Sequence, residues 1–127
     1  MEREFVSYEQ AVALKKLGFD EHVFCTYNHS KDLIFEDDGP NRNSDIDYYN
    51  DEWTICSAPL KQQVFKWFRE KYGCYCDIWQ YEDDLSFAFA VKIKFQRYDA
   101  EIGFKTYEEA ENACIDKLIK LAKQQDK

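Results

Sequence analysis

Glycine and proline are scarce in this chain, four and two among 127 residues. That scarcity excludes a glycine-rich loop of the kind that cradles phosphates. Long apolar runs are missing too. No stretch approaches the roughly 20 residues that a membrane helix needs. The opening Met1-Glu2-Arg3-Glu4 lacks the apolar core of a signal peptide. These absences lead to the expectation of a cytoplasmic protein without a membrane segment. Histidine occurs only twice, as His22 and His29. No pair of cysteines or histidines has zinc-site spacing, so no metal and no cofactor is expected. Positive charge is also short. Lysine and arginine number 17 against 25 aspartates and glutamates, a net charge of −8. An acidic chain repels phosphate, which argues against non-specific binding of nucleic acid.

What the chain has in plenty is aromatic side chains: ten Phe, nine Tyr and three Trp, 17% of the residues. A buried aromatic removes roughly 150–250 Å² from water, so a modest number fills the core of such a chain and others reach its surface. Five cysteines are present. An odd count in a reducing compartment predicts five reduced thiols.

Two segments open almost alike. Ser7-Tyr8-Glu9-Gln10-Ala11 and Thr106-Tyr107-Glu108-Glu109-Ala110 each carry a hydroxyl followed three residues later by Gln or Glu. That is the capping box of a helix start. The first predicts a helix over 8–17, with Val6 as a staple, Ala11, Leu14 and Leu17 as its apolar stripe and Gly18 as its stop. The second predicts a helix over 107–123 that buries Ala110, Cys114, Leu118 and Leu121. A third helix is expected from Pro59, capped by Ser57 and ended by Gly73. Its stripe is Leu60, Val64, Trp67, Phe68 and Tyr72.

Residues 23–27 and 32–35 read as a hairpin around Asn28-His29-Ser30-Lys31. Residues 53–56 read as a short strand. Residues 36–50 are rich in Asp and Asn and read as a mobile acidic loop. Two alternating strands follow, over 75–81 and 86–95, and a third is expected near 100–104. Cys74, Cys76 and Ile78 share one face of the first. Tyr75, Trp79 and Tyr81 share the other. The second strand puts Phe87, Phe89 and Val91 opposite to Ala88, Ala90 and Lys92. The expected fold is α+β: one globular domain over 1–127, an antiparallel sheet with helices packed on one face, and a C-terminal half of order α-β-β-(β)-α.

That order over 57–124 resembles the layout of the double-stranded RNA-binding domain. The resemblance implies no RNA contact here. The lysines which that family places at the start of its last helix are replaced by Glu108, Glu109 and Glu111. A second resemblance lies in wording. Phe5-Val6-Ser7-Tyr8-Glu9-Gln10-Ala11 with Leu14-Lys15-Lys16-Leu17-Gly18-Phe19-Asp20-Glu21 is similar to the start of a small uncharacterised family of Bacteroidota and their phages. Residues 58–72 and Tyr107-Glu108-Glu109-Ala110-Glu111 are similar to its later segments. This resemblance implies a phage or prophage accessory protein, and it brings no activity with it.

Reactive groups read as ordinary ones. Cys74 and Cys76 suit small buried hydrophobes. Neither histidine lies in a nucleophile motif. The carboxylates at Glu36-Asp37-Asp38, at Asp45, Asp47, Asp51 and Glu52, and at Glu82-Asp83-Asp84 lack the calcium-loop register and read as solvated charge. The remaining signal is Tyr75, Trp79 and Tyr81, aromatics aimed away from the core strand face beside small alanines. Exposed Tyr and Trp are favoured at protein interfaces. The expected function is therefore non-enzymatic. The protein binds another protein or itself through these residues, as an inhibitor or modulator of a host factor. Two alternatives stand beside it: an acidic mimic of nucleic acid, and a small-molecule binder or enzyme whose site is assembled from distant residues.

Overall fold

The structure is a computed structural model and describes residues 2–35, 42–49, 53–93 and 97–125. Its fold is α+β. The chain divides into two compact units, Met1–Gln63 and Val64–Lys127.

In the first unit, α1 (Tyr8–Lys16) begins at the expected capping box. The Ser7 hydroxyl accepts from the Gln10 N–H at 3.1 Å, and the Gln10 carboxamide accepts from the Ser7 N–H at 2.9 Å. Gly18 stops the helix with φ +96°. Its N–H bonds the Lys15 carbonyl at 3.0 Å and the Phe19 N–H bonds the Leu14 carbonyl at 2.9 Å, which satisfies carbonyls the helix leaves open. Strands β1 (Cys25–Asn28), β2 (Leu33–Phe35) and β3 (Thr54–Ala58) form an antiparallel sheet of order β2-β1-β3. The middle strand, β1, is buried along its whole length. The hairpin turn forms because the Asn28 side-chain oxygen accepts from the N–H groups of Ser30 and Asp32, at 2.9 and 3.0 Å.

Two expectations fail in this unit. Ser57 does not cap a helix. Its backbone is taken up by β3, where it pairs with Thr26. Pairing continues past it: the Val6 N–H bonds the Pro59 carbonyl at 3.1 Å, and Phe5 bridges Leu60. The helix α3 (Lys61–Tyr72) starts only after that, with the Leu60 N–H donating to the Gln63 side-chain oxygen at 3.0 Å. The expected acidic loop over 36–50 is not loop throughout. Asn43–Tyr49 forms a short helix, α2, and residues 36–41 and 50 lie outside the described residues. Asn43 holds its start. The buried carboxamide donates to the Phe19 carbonyl at 2.7 Å and accepts from the Ser57 N–H at 2.9 Å. Ile46 is buried one turn on.

In the second unit, α3 buries Val64, Trp67, Phe68 and Tyr72 of the expected stripe, while Leu60 precedes the helix and is half-buried. The Trp67 ring meets Phe68 at 5.1 Å and Tyr72 at 5.6 Å between centroids, edge to face. Strands β4 (Cys74–Gln80), β5 (Phe87–Ile93) and β6 (Arg97–Phe104) form an antiparallel sheet of order β4-β5-β6. Gly103, at φ +91°, lies where the β5–β6 register shifts. The helix α4 (Tyr107–Gln125) starts at Thr106, whose hydroxyl accepts from the Glu109 N–H at 3.1 Å, while the Glu109 carboxylate accepts from the Lys105 N–H at 3.1 Å rather than from Thr106. It packs on β5 and β4 and buries Ala110, Cys114, Ile115, Leu118 and Leu121.

The five-thiol expectation is overturned. Cys76 and Cys114 are joined as a disulfide between β4 and α4, with 7.3 Å between their Cα atoms. Cys25, Cys56 and Cys74 are buried thiols outside this bond. Alternation turned Cys76 towards α4, and helical spacing turned Cys114 towards the sheet, so each places its sulfur in the other's path.

Thiol titration of the unreduced, denatured protein should find three free thiols rather than five. Because the bond spans 38 residues, reduction should lower stability by roughly 3–4 kcal/mol, read as a fall in melting temperature with dithiothreitol. Trp67→Ala should cost about 3–5 kcal/mol, since it removes the centre of a ring cluster. An unchanged melting temperature would contradict that placement.

Candidate functional site

Strand alternation divides the sheet of the second unit into two faces. Cys76 pairs across with Val91, and Ile78 with Phe89. These residues look towards α4, as the Cys76–Cys114 bond and the 6.1 Å ring contact between Phe87 and Tyr107 show. The other face carries Tyr75, Asp77, Trp79 and, just past the strand end, Tyr81. Across from them, Lys92 stands opposite Tyr75, Ala90 opposite Asp77 and Ala88 opposite Trp79. Ala100 continues the row on β6, opposite Ala90.

The three aromatics expected at a surface lie together at one edge of the sheet, because β4 is an edge strand. Tyr75 is 57% exposed and Tyr81 40%. Trp79 is half-buried and meets the Tyr81 ring edge to face, 6.1 Å between centroids. Ala88 and Ala90 are buried beside them.

The turn after β4 adds to this edge. The Tyr81 N–H bonds the Ser86 carbonyl at 2.8 Å, and the Leu85 N–H bonds the Tyr81 carbonyl at 3.1 Å. Leu85 has φ +61°, a left-handed conformation that is unfavourable for a branched side chain, and it is 64% exposed. Asp84 fixes the turn by accepting from the Ser86 N–H at 3.0 Å and from its hydroxyl at 2.8 Å. Those bonds hold the Asp84 carboxyl below the usual carboxylate range. On β6, Ile102 is 69% exposed. Sequence reasoning passed over Asp77, Leu85 and Ile102. The signal for Asp77 was present, since it sits between Tyr75 and Trp79 on the same alternation.

The other candidates behave differently. Asp47 is 2.8 Å from the Lys15 ammonium, and Asp45 is 3.5 Å from Arg42 Nε. Asp51 lies outside the described residues. His22 and His29 are exposed. Among the described residues, no group of three or more His, Cys, Asp and Glu is placed to hold a metal ion. Cys56 sits in β3 with its thiol buried. Burial pushes its pKa up to about 11, partly opposed by the Lys15 charge. A thiol held protonated is a poor nucleophile at neutral pH.

No helix among the described residues is long and apolar enough to cross a membrane. Compared with family models, with curated proteins and with solved structures, the chain matches none of them.

The Cys56 thiol gives a pH dependence with a definite sign. Unfolded, it ionises near pH 9 or slightly below; folded, it keeps its proton to about pH 11. The folded state therefore binds more protons in that window, and stability falls as pH rises through it. Denaturant unfolding between pH 8 and 11 should show that slope in the wild type, and Cys56→Ala should flatten it. Identical slopes would refute the assignment.

Proposed function

We propose that the protein is a non-enzymatic binding module of phage or prophage accessory type, which engages a protein partner through the aromatic edge of β4. The observation that carries this reading is the row of Tyr75, Trp79 and Tyr81, two of its rings exposed and the third anchored. A monomeric surface rarely groups large aromatics without a use for them. Interfaces favour Tyr and Trp because they cover much area at small entropic cost. The provenance rests on the wording of residues 5–21, 58–72 and 107–111. A cytoplasmic setting belongs to the same reading.

The acidic-mimic reading draws less support. It needs unpaired carboxylates in an ordered array. It was suggested by the net charge of −8, and of the acidic residues around α2, Asp45 and Asp47 are partnered by Arg42 and Lys15 within the first unit.

The test compares two variants against a partner captured from a host lysate and then purified. Trp79→Ala should weaken binding by roughly 2 kcal/mol or more, about thirtyfold, as a hot-spot aromatic does. The Asp45→Asn, Asp47→Asn double variant should bind normally. Wild-type affinity in the Trp79 variant, with its circular dichroism intact, would sink the reading. Slower association of the double variant at low salt would favour mimicry instead.

A further inference from the structure

Asp77 is the feature that the aromatic reading leaves unused. It stands on β4 between Tyr75 and Trp79, two residues from each, so its carboxylate is roughly 7 Å from each neighbour along the strand. It is exposed, and among the described residues it has no ion-pair or hydrogen-bond partner. A carboxylate placed centrally in an aromatic row is not needed for solubility in a chain already at −8.

Resting on the proposed reading, we infer that this row binds a partner segment bearing arginine, with the guanidinium seated on Asp77 between the Tyr75 and Trp79 rings. Three properties of the surface select that chemistry. The carboxylate offers two oxygens to the paired N–H groups of one guanidinium, which is a bidentate match. The flanking rings offer π faces, and a guanidinium is flat and weakly hydrated, so it stacks on them where a lysine ammonium stays hydrated. The field around the site has the right sign. Asp77, Glu82, Asp83 and Asp84 lie on this strand and its turn, all exposed, and the one cation opposite them on the same face of β5 is Lys92. Lys92 stands opposite Tyr75 rather than Asp77, so it tempers the field without closing the carboxylate. The surface thus selects a basic, arginine-bearing peptide and repels an acidic one.

The experiment titrates the isotope-labelled full chain with acetyl-(Arg-Gly)₃-amide, followed by amide and indole chemical shifts at near-physiological salt. The equally charged lysine peptide and a glutamate peptide are controls. Expected are shifts centred on Tyr75, Asp77 and the Trp79 indole, binding by the lysine peptide at least severalfold weaker, and none by the glutamate peptide. Asp77→Asn should weaken the arginine peptide tenfold or more and leave the melting temperature unchanged, because the side chain is exposed. Three results would each overturn the inference: no shift at millimolar peptide, equal binding of the two basic peptides with shifts spread over Glu82, Asp83 and Asp84, or full affinity in the Asp77 variant. A captured partner separates this from the broader reading. Dependence on Trp79 but not on Asp77 would remove the arginine assignment and leave the aromatic surface standing. Dependence on neither would remove both.

Discussion

The register of β4 against β5 is the constraint on which everything at the candidate surface depends. A strand has a side-chain period of two, so a slip of one residue would exchange its faces. Cys76 would turn away from Cys114, and Tyr75, Asp77 and Trp79 would turn towards α4. Two devices hold the register. One is covalent, the Cys76–Cys114 bond from strand to helix. The other is apolar: Phe89 and Val91 are fully buried on the α4 side, opposite Ile78 and Cys76. Both act on the hidden face, and the exposed face inherits its order from them. The aromatic row can therefore be presented without contributing to the core.

The first unit is held by a different logic. Its middle strand is buried at Cys25, Thr26, Tyr27 and Asn28 alike, so polar groups there must find partners inside. Asn28 closes its own turn. The Tyr27 hydroxyl donates to the Val6 carbonyl, which ties the approach to α1 onto β1. Asn43 joins the Phe19 carbonyl to the Ser57 N–H. An apolar side chain at position 43 would leave both backbone groups without that partner. The cost of such orphaned groups, roughly 1–3 kcal/mol each, gives a seven-residue helix a fixed place that propensity alone would not.

How far the chain was legible follows from the range of each signal. Local signals were clear. Both helices start where Ser7 and Thr106 placed them, the first with its full capping box and the second with the hydroxyl half of one, because the bonds lie within one turn. The strands expected over 75–81 and 86–95 form over 74–80 and 87–93, because the alternation of large and small or polar side chains is a local signal. The stripe of α3 was read for the same reason at helical period. Signals that depend on distant partners were not legible. The helix α2 has Ile46 as its one buried apolar residue over 43–47, where burial is described, too little to write a period. Its start depends on Phe19 and Ser57. Ser57 looked like a cap because the pairing of β3 with β1 is invisible locally. Cys76 and Cys114 were each assigned to the core, and only their meeting was missed, since it needs the height of α4 along the strand.

The candidate surface divides along the same line. Tyr75, Trp79 and Tyr81 were found from alternation and composition. Asp77 escaped because an isolated carboxylate in an acidic chain reads as solvated charge, and it takes the placement of both neighbouring rings to give it another meaning. What makes the arrangement physically economical is its rigidity. A strand fixes the spacing of every second side chain, β5 holds β4 in place, and the disulfide ties β4 to α4. The half-buried Trp79 is braced by Tyr81 at 6.1 Å. The backbone beneath these side chains is thereby held, so on the proposed reading binding would not have to order it, and ordering is a main cost of association. A flexible loop carrying the same residues would offer the same contacts at a greater entropic cost. On the proposed reading, a braced strand therefore suits the aromatics and the carboxylate better than a loop would, because the backbone order is in place before any contact forms.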